Sequence, residues 1–134
     1  MALSGGCFCG AIGYAIAGKL RDARSCHCSR CRKAFSGQAS AYALVEPGEF
    51  RWTSGEELLT SFLNDEGLGM QFCSRCGSTL VGMVAGAVHG VTLGCVDGDP
   101  GVVIERHIFV GSKAPWEVLP EGAPMFEEGA PSAA

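Results

Sequence analysis

Seven of the eight cysteines in this 134-residue chain fall into three tight groups. The groups are Cys7-x-Cys9, Cys26-x-Cys28-x-x-Cys31 and Cys73-x-x-Cys76. Zinc takes four protein ligands at a structural site, but three ligands and an open position at a catalytic site. Seven clustered thiols therefore predict one closed metal site and one open metal site.

Two other uses of clustered cysteines are weaker interpretations. Cysteines one or two residues apart are poorly placed for a disulfide inside a strand or turn. A thioredoxin-like redox pair at Cys73-x-x-Cys76 would require a βαβ pattern around it, which the sequence lacks. The N-terminal MALSGGCFCG has no secretory signal pattern, so we expect a cytoplasmic location, where thiols stay reduced.

The composition is that of one globular domain, with 47% hydrophobic and 18% charged residues. We expect this domain over residues 1–126. We expect a frayed tail over residues 127–134, because Pro, Gly, Ala and Glu bury too little surface there. The formal net charge of −4 argues against a nucleic acid partner, which requires a basic surface. Arg30, Arg32 and Lys33 form a local basic patch beside the middle cysteine group.

Short runs rich in Val, Ile, Thr and aromatic residues predict a mainly β fold, a single domain of antiparallel strands. Gly, Pro, Asn-Asp and Asp-Gly turn signals separate these runs. The predicted strands are Ala11–Ala17, Ala39–Val45, Phe50–Thr53, Leu58–Leu63, Leu68–Phe72, Leu80–Ala85, Val91–Val96 and Val102–Val110. Only Ser29–Phe35 has the pattern of a short helix, which begins at the middle cysteines.

One segment, Thr79–Val96, contains no Asp, Glu, Lys or Arg and has glycines at four-residue spacing. That pattern also occurs in membrane helices. The segment is poor in Leu and Ile, contains His89 and follows a Cys-x-x-Cys-Gly motif. We therefore interpret it as two buried strands with a turn near Gly86–Gly90, and we expect no membrane partner.

The first and third cysteine groups together form a tetrathiolate set. Cys7 and Cys9 point to one face of an extended strand because side chains alternate with a period of two. Cys73 and Cys76 have the spacing of a zinc knuckle. Four thiolates leave no open position, so we predict a structural zinc held by these four cysteines.

The middle group provides three thiols, Cys26, Cys28 and Cys31, without an obvious fourth ligand. Three ligands and an open position allow zinc to bind a water or a substrate sulfur and lower its pKa. His27 lies between two of these cysteines, and on an extended chain its side chain points away from theirs, so we predict a supporting role. In the alternative interpretation both metals are structural, and the eighth ligand is His27, His89, His107 or Cys95. Cys95 in an apolar run is more typical of a small buried hydrophobe.

Four segments of the chain resemble the glutathione-dependent formaldehyde-activating enzyme family, whose domain is shared with centromere protein V. The segments are Gly6–Ile12 (GCFCGAI), Cys26–Lys33 (CHCSRCRK), Phe72–Ser78 (FCSRCGS) and His107–Trp116 (HIFVGSKAPW). The resemblance implies a zinc-stapled fold like that of a small guanine-nucleotide-releasing chaperone. It also implies a structural zinc on Cys7, Cys9, Cys73 and Cys76, and a catalytic zinc on Cys26, Cys28 and Cys31.

The activity implied by the resemblance is a carbon–sulfur lyase reaction that joins glutathione and formaldehyde into S-(hydroxymethyl)glutathione. Glutathione would then be the small-molecule thiol co-substrate, and Arg32 and Lys33 would be anchors for its carboxylates. Of the late segment, His107 is expected to be a hydrogen-bonded structural histidine and Trp116 a packing residue. Two alternatives stay open: a non-catalytic interaction module resembling centromere protein V, and a zinc-binding chaperone.

Overall fold

The computed structural model describes residues 2–129, and this part of the chain is mainly β, as predicted. The strands are β1 Leu3–Gly6, β2 Gly13–Ile16, β3 Arg21–Cys26, β4 Ser40–Leu44, β5 Phe50–Ser54, β6 Leu59–Leu63, β7 Gly69–Cys73, β8 Thr79–Val84, β9 Ala87–Thr92 and β10 Arg106–Ile108. The α-helix α1 covers Ser29–Phe35, the predicted position. Short 3-10 helices cover Pro47–Glu49, Glu56–Leu58, Leu93–Cys95 and Val110–Ser112.

Contacts between residues divide the chain into two compact units. The first unit comprises the described residues up to Arg21 together with Ala43–Val102. The second comprises Asp22–Tyr42 and the described residues from Val103 onward. The outer cysteine groups lie in the first unit and the middle group lies in the second, so each predicted metal site belongs to one unit.

Antiparallel pairing dominates the first unit. β1, β2 and β5 form one three-stranded sheet, and β6, β7, β8 and β9 pair consecutively. Its core contains Tyr14, Ile16, Leu80 and Val91, whose side chains are at most 1% exposed. Burial of such side chains is the main favourable contribution to folding of a β unit of this size.

The apolar segment after Cys76 forms two strands, as predicted, but the turn between them comes earlier than Gly86–Gly90. β8 and β9 are joined at Ala85 and Gly86, which both have positive φ angles, of 52° and 78°. Positive φ at both central residues is the geometry of the tight hairpin turns that match strand twist. Among the described residues, no helix combines the length and the apolar character that crossing a membrane requires.

The second unit has a small core organised by β3 and β10, which pair in parallel with His107 opposite Ser25 and Ile108 opposite Cys26. The predicted strand over 102–110 is shortened to Arg106–Ile108. It stops there because Phe109 adopts a left-handed conformation, with φ of 56°, and a 3-10 helix follows. The buried side chains of this unit include the polar residues His27 and His107.

The C-terminal segment returns to β10. His107 N donates to Pro124 O at 2.8 Å, and Phe109 N donates to Glu128 O at 2.8 Å. The tail predicted over residues 127–134 falls mostly on residues 130–134, which lie outside the described residues, so it stays a prediction.

Candidate metal centres

The four cysteines of the outer groups converge in the first unit. The sulfur atoms of Cys7, Cys9, Cys73 and Cys76 all lie within 4.8 Å of one another. The Cys7 and Cys9 sulfurs are 3.6 Å apart, and those of Cys9 and Cys73 are 3.8 Å apart. Zinc–sulfur bonds of about 2.3 Å in a tetrahedron place sulfurs about 3.8 Å apart, so this cluster fits a tetrathiolate metal.

Local backbone geometry points these thiols at a common centre. Ile12 N donates to Cys7 Sγ at 3.3 Å, and Arg75 N donates to Cys73 Sγ at 3.4 Å. Gly77 N donates to Cys73 O at 2.8 Å and closes the knuckle, with a φ of 80° at Gly77. Backbone donors directed at sulfur stabilise the thiolate form, which is the form that binds metal.

Ser78 joins the two halves of this cluster. Its hydroxyl oxygen accepts from Phe8 N at 2.9 Å and lies 3.3 Å from Cys76 Sγ. Hydrogen bonds from the Ser78 side chain and backbone lower the pKa of Cys76 to about 5. Cys76 is therefore ionised at neutral pH before any metal binds.

The three cysteines of the middle group converge in the second unit. Cys26 ends β3, Cys28 is the N-cap residue of α1, and Cys31 lies in its first turn. Their sulfurs all lie within 4.8 Å of one another, and Cys28 Sγ accepts from Cys31 N at 3.3 Å. Three thiols at this separation fit three corners of a tetrahedron. Among the described residues, no His, Asp or Glu joins them as a fourth ligand.

Two of these thiols, Cys26 and Cys31, have pKa values shifted in opposite directions. A hydrogen bond with Cys26 lowers the pKa of Cys31 to about 6, against the opposing effect of burial. The same hydrogen bond, together with burial, raises the pKa of Cys26. The shared hydrogen bond therefore favours the thiolate at Cys31 over the thiolate at Cys26. All eight cysteines are free of disulfides, as a metal-binding interpretation requires.

The sequence analysis missed three residues on β3 and β4 that surround these thiols. Ser40 is 1% exposed, and its nearby hydroxyl helps lower the pKa of Cys31. Burial raises the pKa of Tyr42 to about 12. The Arg24 guanidinium lies 5.9 Å from the centre of the Tyr42 ring. In the sequence, the only feature that could have indicated these three residues is their alternating position on strands next to the Cys26–Cys31 group.

His27 is fully buried, at 0% exposure. Its side chain contacts two other polar residues instead of joining the three thiols as a metal ligand. Its Nε2 lies 3.0 Å from His107 Nδ1, and its Nδ1 lies 3.1 Å from Glu117 Oε1. The second contact is off the ideal hydrogen-bond line, and neither of its atoms has another polar partner among the described residues. Burial lowers the pKa of His27, against the attraction of Glu117, and so favours the neutral ring. The expected structural role of His107 agrees with this pairing, whereas Trp116, expected to pack, is 68% exposed.

The two predicted carboxylate anchors follow the cysteines on α1. Arg32 is half-buried, and its Nε is buried without a hydrogen-bond partner in the part of the chain that the structure describes. Lys33 is exposed, and both residues lie in the last turn of the helix. Of the two, Arg32 has the unused donor that a carboxylate ligand could satisfy.

An open cleft of about 650 Å³ also lies in the second unit, and its lining includes Ser25, His107, Pro120 and Pro124. Ser25 and Cys26 are consecutive on β3, so their side chains point to opposite faces. The thiols line none of this cleft. The cleft is therefore separate from the three-cysteine site.

The sequence model of one family, the glutathione-dependent formaldehyde-activating enzymes, matches residues 2–112. The chain belongs to this family. The matched span contains all seven clustered cysteines and ends before Glu117. Membership in the glutathione-dependent formaldehyde-activating family supports an enzyme that uses glutathione, and both cysteine clusters can hold a metal.

The fold has a relative among solved structures. A crystal structure of a protein from Rhodobacter sphaeroides is 28% identical and has a TM-score of 0.56. The match covers 72% of this chain and 89% of that chain. Among curated proteins, no relative matches the chain.

Proposed function

We propose that this protein is a zinc-dependent carbon–sulfur lyase that forms S-(hydroxymethyl)glutathione, or a related thiol adduct, from formaldehyde and the thiol. The observation that carries the proposal is the separation of the seven clustered cysteines into a four-thiol group and a three-thiol group. Cys7, Cys9, Cys73 and Cys76 would hold a structural zinc, and Cys26, Cys28 and Cys31 a catalytic zinc. Such thiols must stay reduced, so a reducing compartment such as the cytoplasm is part of the proposal.

The reaction adds a thiol to a carbonyl. The thiol sulfur attacks the carbon of formaldehyde, a carbon–sulfur bond forms, and the carbonyl π-bond becomes a hydroxyl that receives the thiol proton. When bound at the three-cysteine site, zinc supplies positive charge that favours the thiolate form of the substrate. Arg32, which is half-buried, would hold a glutathione carboxylate through its guanidinium, with Lys33 as a nearby positive charge. Holding the two reactants together converts a bimolecular step into one within the complex.

Titration of the zinc-loaded protein with glutathione tests the site directly. NMR signals of the cysteine regions should shift at Cys26, Cys28 and Cys31 and stay in place at the other four ligands. In parallel, ¹³C-formaldehyde should convert to the hydroxymethyl adduct faster with protein than without it. No shift at millimolar glutathione, with no acceleration, would contradict the proposal and favour a non-catalytic zinc-binding module or chaperone.

Substitution of Arg32 tests the anchor. Arg32→Gln should raise the KM for glutathione more than it lowers kcat, because a carboxylate contact is made before and during the reaction. Lys33→Gln is the matched control, since it removes an exposed charge from the same helical turn. Equal effects of the two substitutions would show that only the local charge matters.

A further inference from the structure

Two buried imidazoles and a carboxylate stand directly behind the three-cysteine loop. His27 lies between two of the thiol-bearing residues, and β3 leads into it, so its side chain points to the face opposite Cys26. There it meets His107 at 3.0 Å and Glu117 at 3.1 Å. These two contacts therefore hold the thiol-bearing loop from the side opposite the sulfur atoms.

Backbone hydrogen bonds hold both histidines of this group in place. His27 N donates to Ile108 O at 3.0 Å, so the residue between the two cysteines is tied to β10. His107 N donates to Pro124 O at 2.8 Å, and its own carbonyl accepts from Phe126 N at 2.9 Å. Neither histidine can move without the loss of a backbone hydrogen bond.

A short turn places the carboxylate. Glu117 N donates to Ala114 O at 3.1 Å, and Lys113 Nζ donates to Glu117 O at 3.0 Å. Ala114 is 0% exposed, so the turn is anchored by burial as well. The Glu117 side chain is 18% exposed, and its Oε1 has no polar neighbour other than His27 in the described part of the chain.

The protons of this chain have one consistent arrangement. A carboxylate can only accept, so the tautomer that favours the 3.1 Å contact has the proton on His27 Nδ1, facing Glu117 Oε1 off the ideal hydrogen-bond line. In the tautomer with the proton on Nδ1, His27 Nε2 accepts from His107 Nδ1 across the 3.0 Å contact. Each partner therefore fixes one edge of the His27 ring and prevents its rotation.

We propose that His27, clamped between His107 and Glu117, is the positioning residue of the three-cysteine site. It holds the turn from Cys26 to Cys28 so that both sulfurs converge with the sulfur of Cys31. This inference rests on the proposed metal site, but not on the identity of the thiol substrate. Residues that orient metal ligands typically affect metal affinity or activity by about 10–100-fold when they are changed.

Zinc affinity of the intact protein tests the proposal, measured by competition with a chromophoric chelator. Glu117→Ala should weaken the second zinc by about 10–100-fold and leave the first zinc unchanged. Glu117→Gln retains an acceptor for His27 Nδ1 and should recover most of the affinity. Glu121→Ala is the matched control, because this carboxylate is exposed and lies in the same unit.

A second pair of variants keeps the test decisive if Glu117→Ala fails to fold. His107→Asn retains a side-chain N–H for His27 Nε2, whereas His107→Leu has similar size but no donor. The second zinc should bind tightly in the Asn variant and weakly in the Leu variant. Unchanged affinity in both Glu117→Ala and His107→Leu would overturn the proposal, as would equal weakening of both zincs.

The experiments distinguish an error in the proposed enzyme activity from an error in the proposed positioning role. If Glu117→Ala loses the second zinc but the wild type converts no formaldehyde, the positioning role stands and the activity is wrong. If the wild type converts formaldehyde and the affinity is the same in all variants, the activity stands and the positioning role is wrong.

Discussion

Neighbouring side chains stabilise the thiolate form of Cys31. Cys26 is the main hydrogen-bond partner, and the hydroxyl of Ser40 adds to it. Ser40 is 1% exposed, and its hydroxyl contributes to the lowered pKa of Cys31. A buried hydroxyl is stabilised only where it finds a partner.

Alkylation of the metal-free, reduced protein should show this charge. With a pKa of about 6, Cys31 is mostly thiolate at pH 7, and its reaction with iodoacetamide should fall to half near pH 6 as it is protonated. Ser40→Ala should move the midpoint to higher pH, because one donor to the thiolate is lost. Mass mapping of the modified peptides separates Cys31 from Cys76.

Ser25→Ala serves as the control for this substitution, since Ser25 lies on the opposite face of β3 from Cys26. Its alkylation midpoint should match that of the wild type. An unchanged midpoint in Ser40→Ala would show that Ser40 does not contribute to the lowered pKa of Cys31.

At the scale of an element, α1 begins at a residue that has two roles. Cys28 is the N-cap of this seven-residue helix, and its sulfur accepts from Cys31 N. Cys28→Ser and Cys28→Ala should both abolish binding of the second zinc. Serine is a strong N-cap, so only the Ala variant should lose a further 0.5–2 kcal/mol, roughly, in the free energy of unfolding.

Denaturant unfolding of the two Cys28 variants, each with zinc at the four-cysteine site only, gives that difference directly. Equal unfolding free energies would show that the cap contact contributes nothing. A second zinc retained in Cys28→Ser would show that two thiols suffice to hold it.

The knuckle that carries Cys73 and Cys76 depends on one backbone conformation. Gly77 has a φ of 80°, and no heavy atom lies within 4 Å of a Cβ built there. Gly77→Ala should therefore destabilise by about 1–2 kcal/mol through the left-handed backbone alone, without a clash. Gly94→Ala is the control, because that site is equally open and has no positive φ. A comparison of their denaturation midpoints decides, and equal midpoints would contradict the backbone explanation.

Spacing predicted the two cysteine sets and the helix at Ser29–Phe35, because ligand groups and short periodic segments are local signals. It missed β1 and β3, since Leu3–Gly6 contains two glycines and Arg21–Cys26 is mostly polar. These strands form because their neighbours pair with them, and sequence propensity does not record that. Glu117 was missed for a related reason: its contact with His27 joins distant segments, and no spacing rule predicts it.

At the scale of the whole molecule, the two thiol clusters have different consequences for stability. The four-thiol cluster joins residues 7–9 to residues 73–76, and Cys7 and Cys73 are 8% and 0% exposed. The three-thiol cluster joins only residues 26–31, a single local loop. A crosslink stabilises more when it closes a longer loop, because it removes more freedom from the unfolded chain.

Metal removal should therefore occur in two steps with different outcomes. A chelator should take zinc first from Cys26, Cys28 and Cys31, and the thermal transition should change little. Loss of zinc from the four-cysteine site should unfold the first unit, since structural zinc contributes about 10–16 kcal/mol of apparent binding free energy. Cys73→Ser should reproduce the second step, and Cys28→Ser should reproduce the first. Circular dichroism and zinc content are followed together during chelation and measure both steps. Unfolding of both variants alike would contradict the division into structural and catalytic sites.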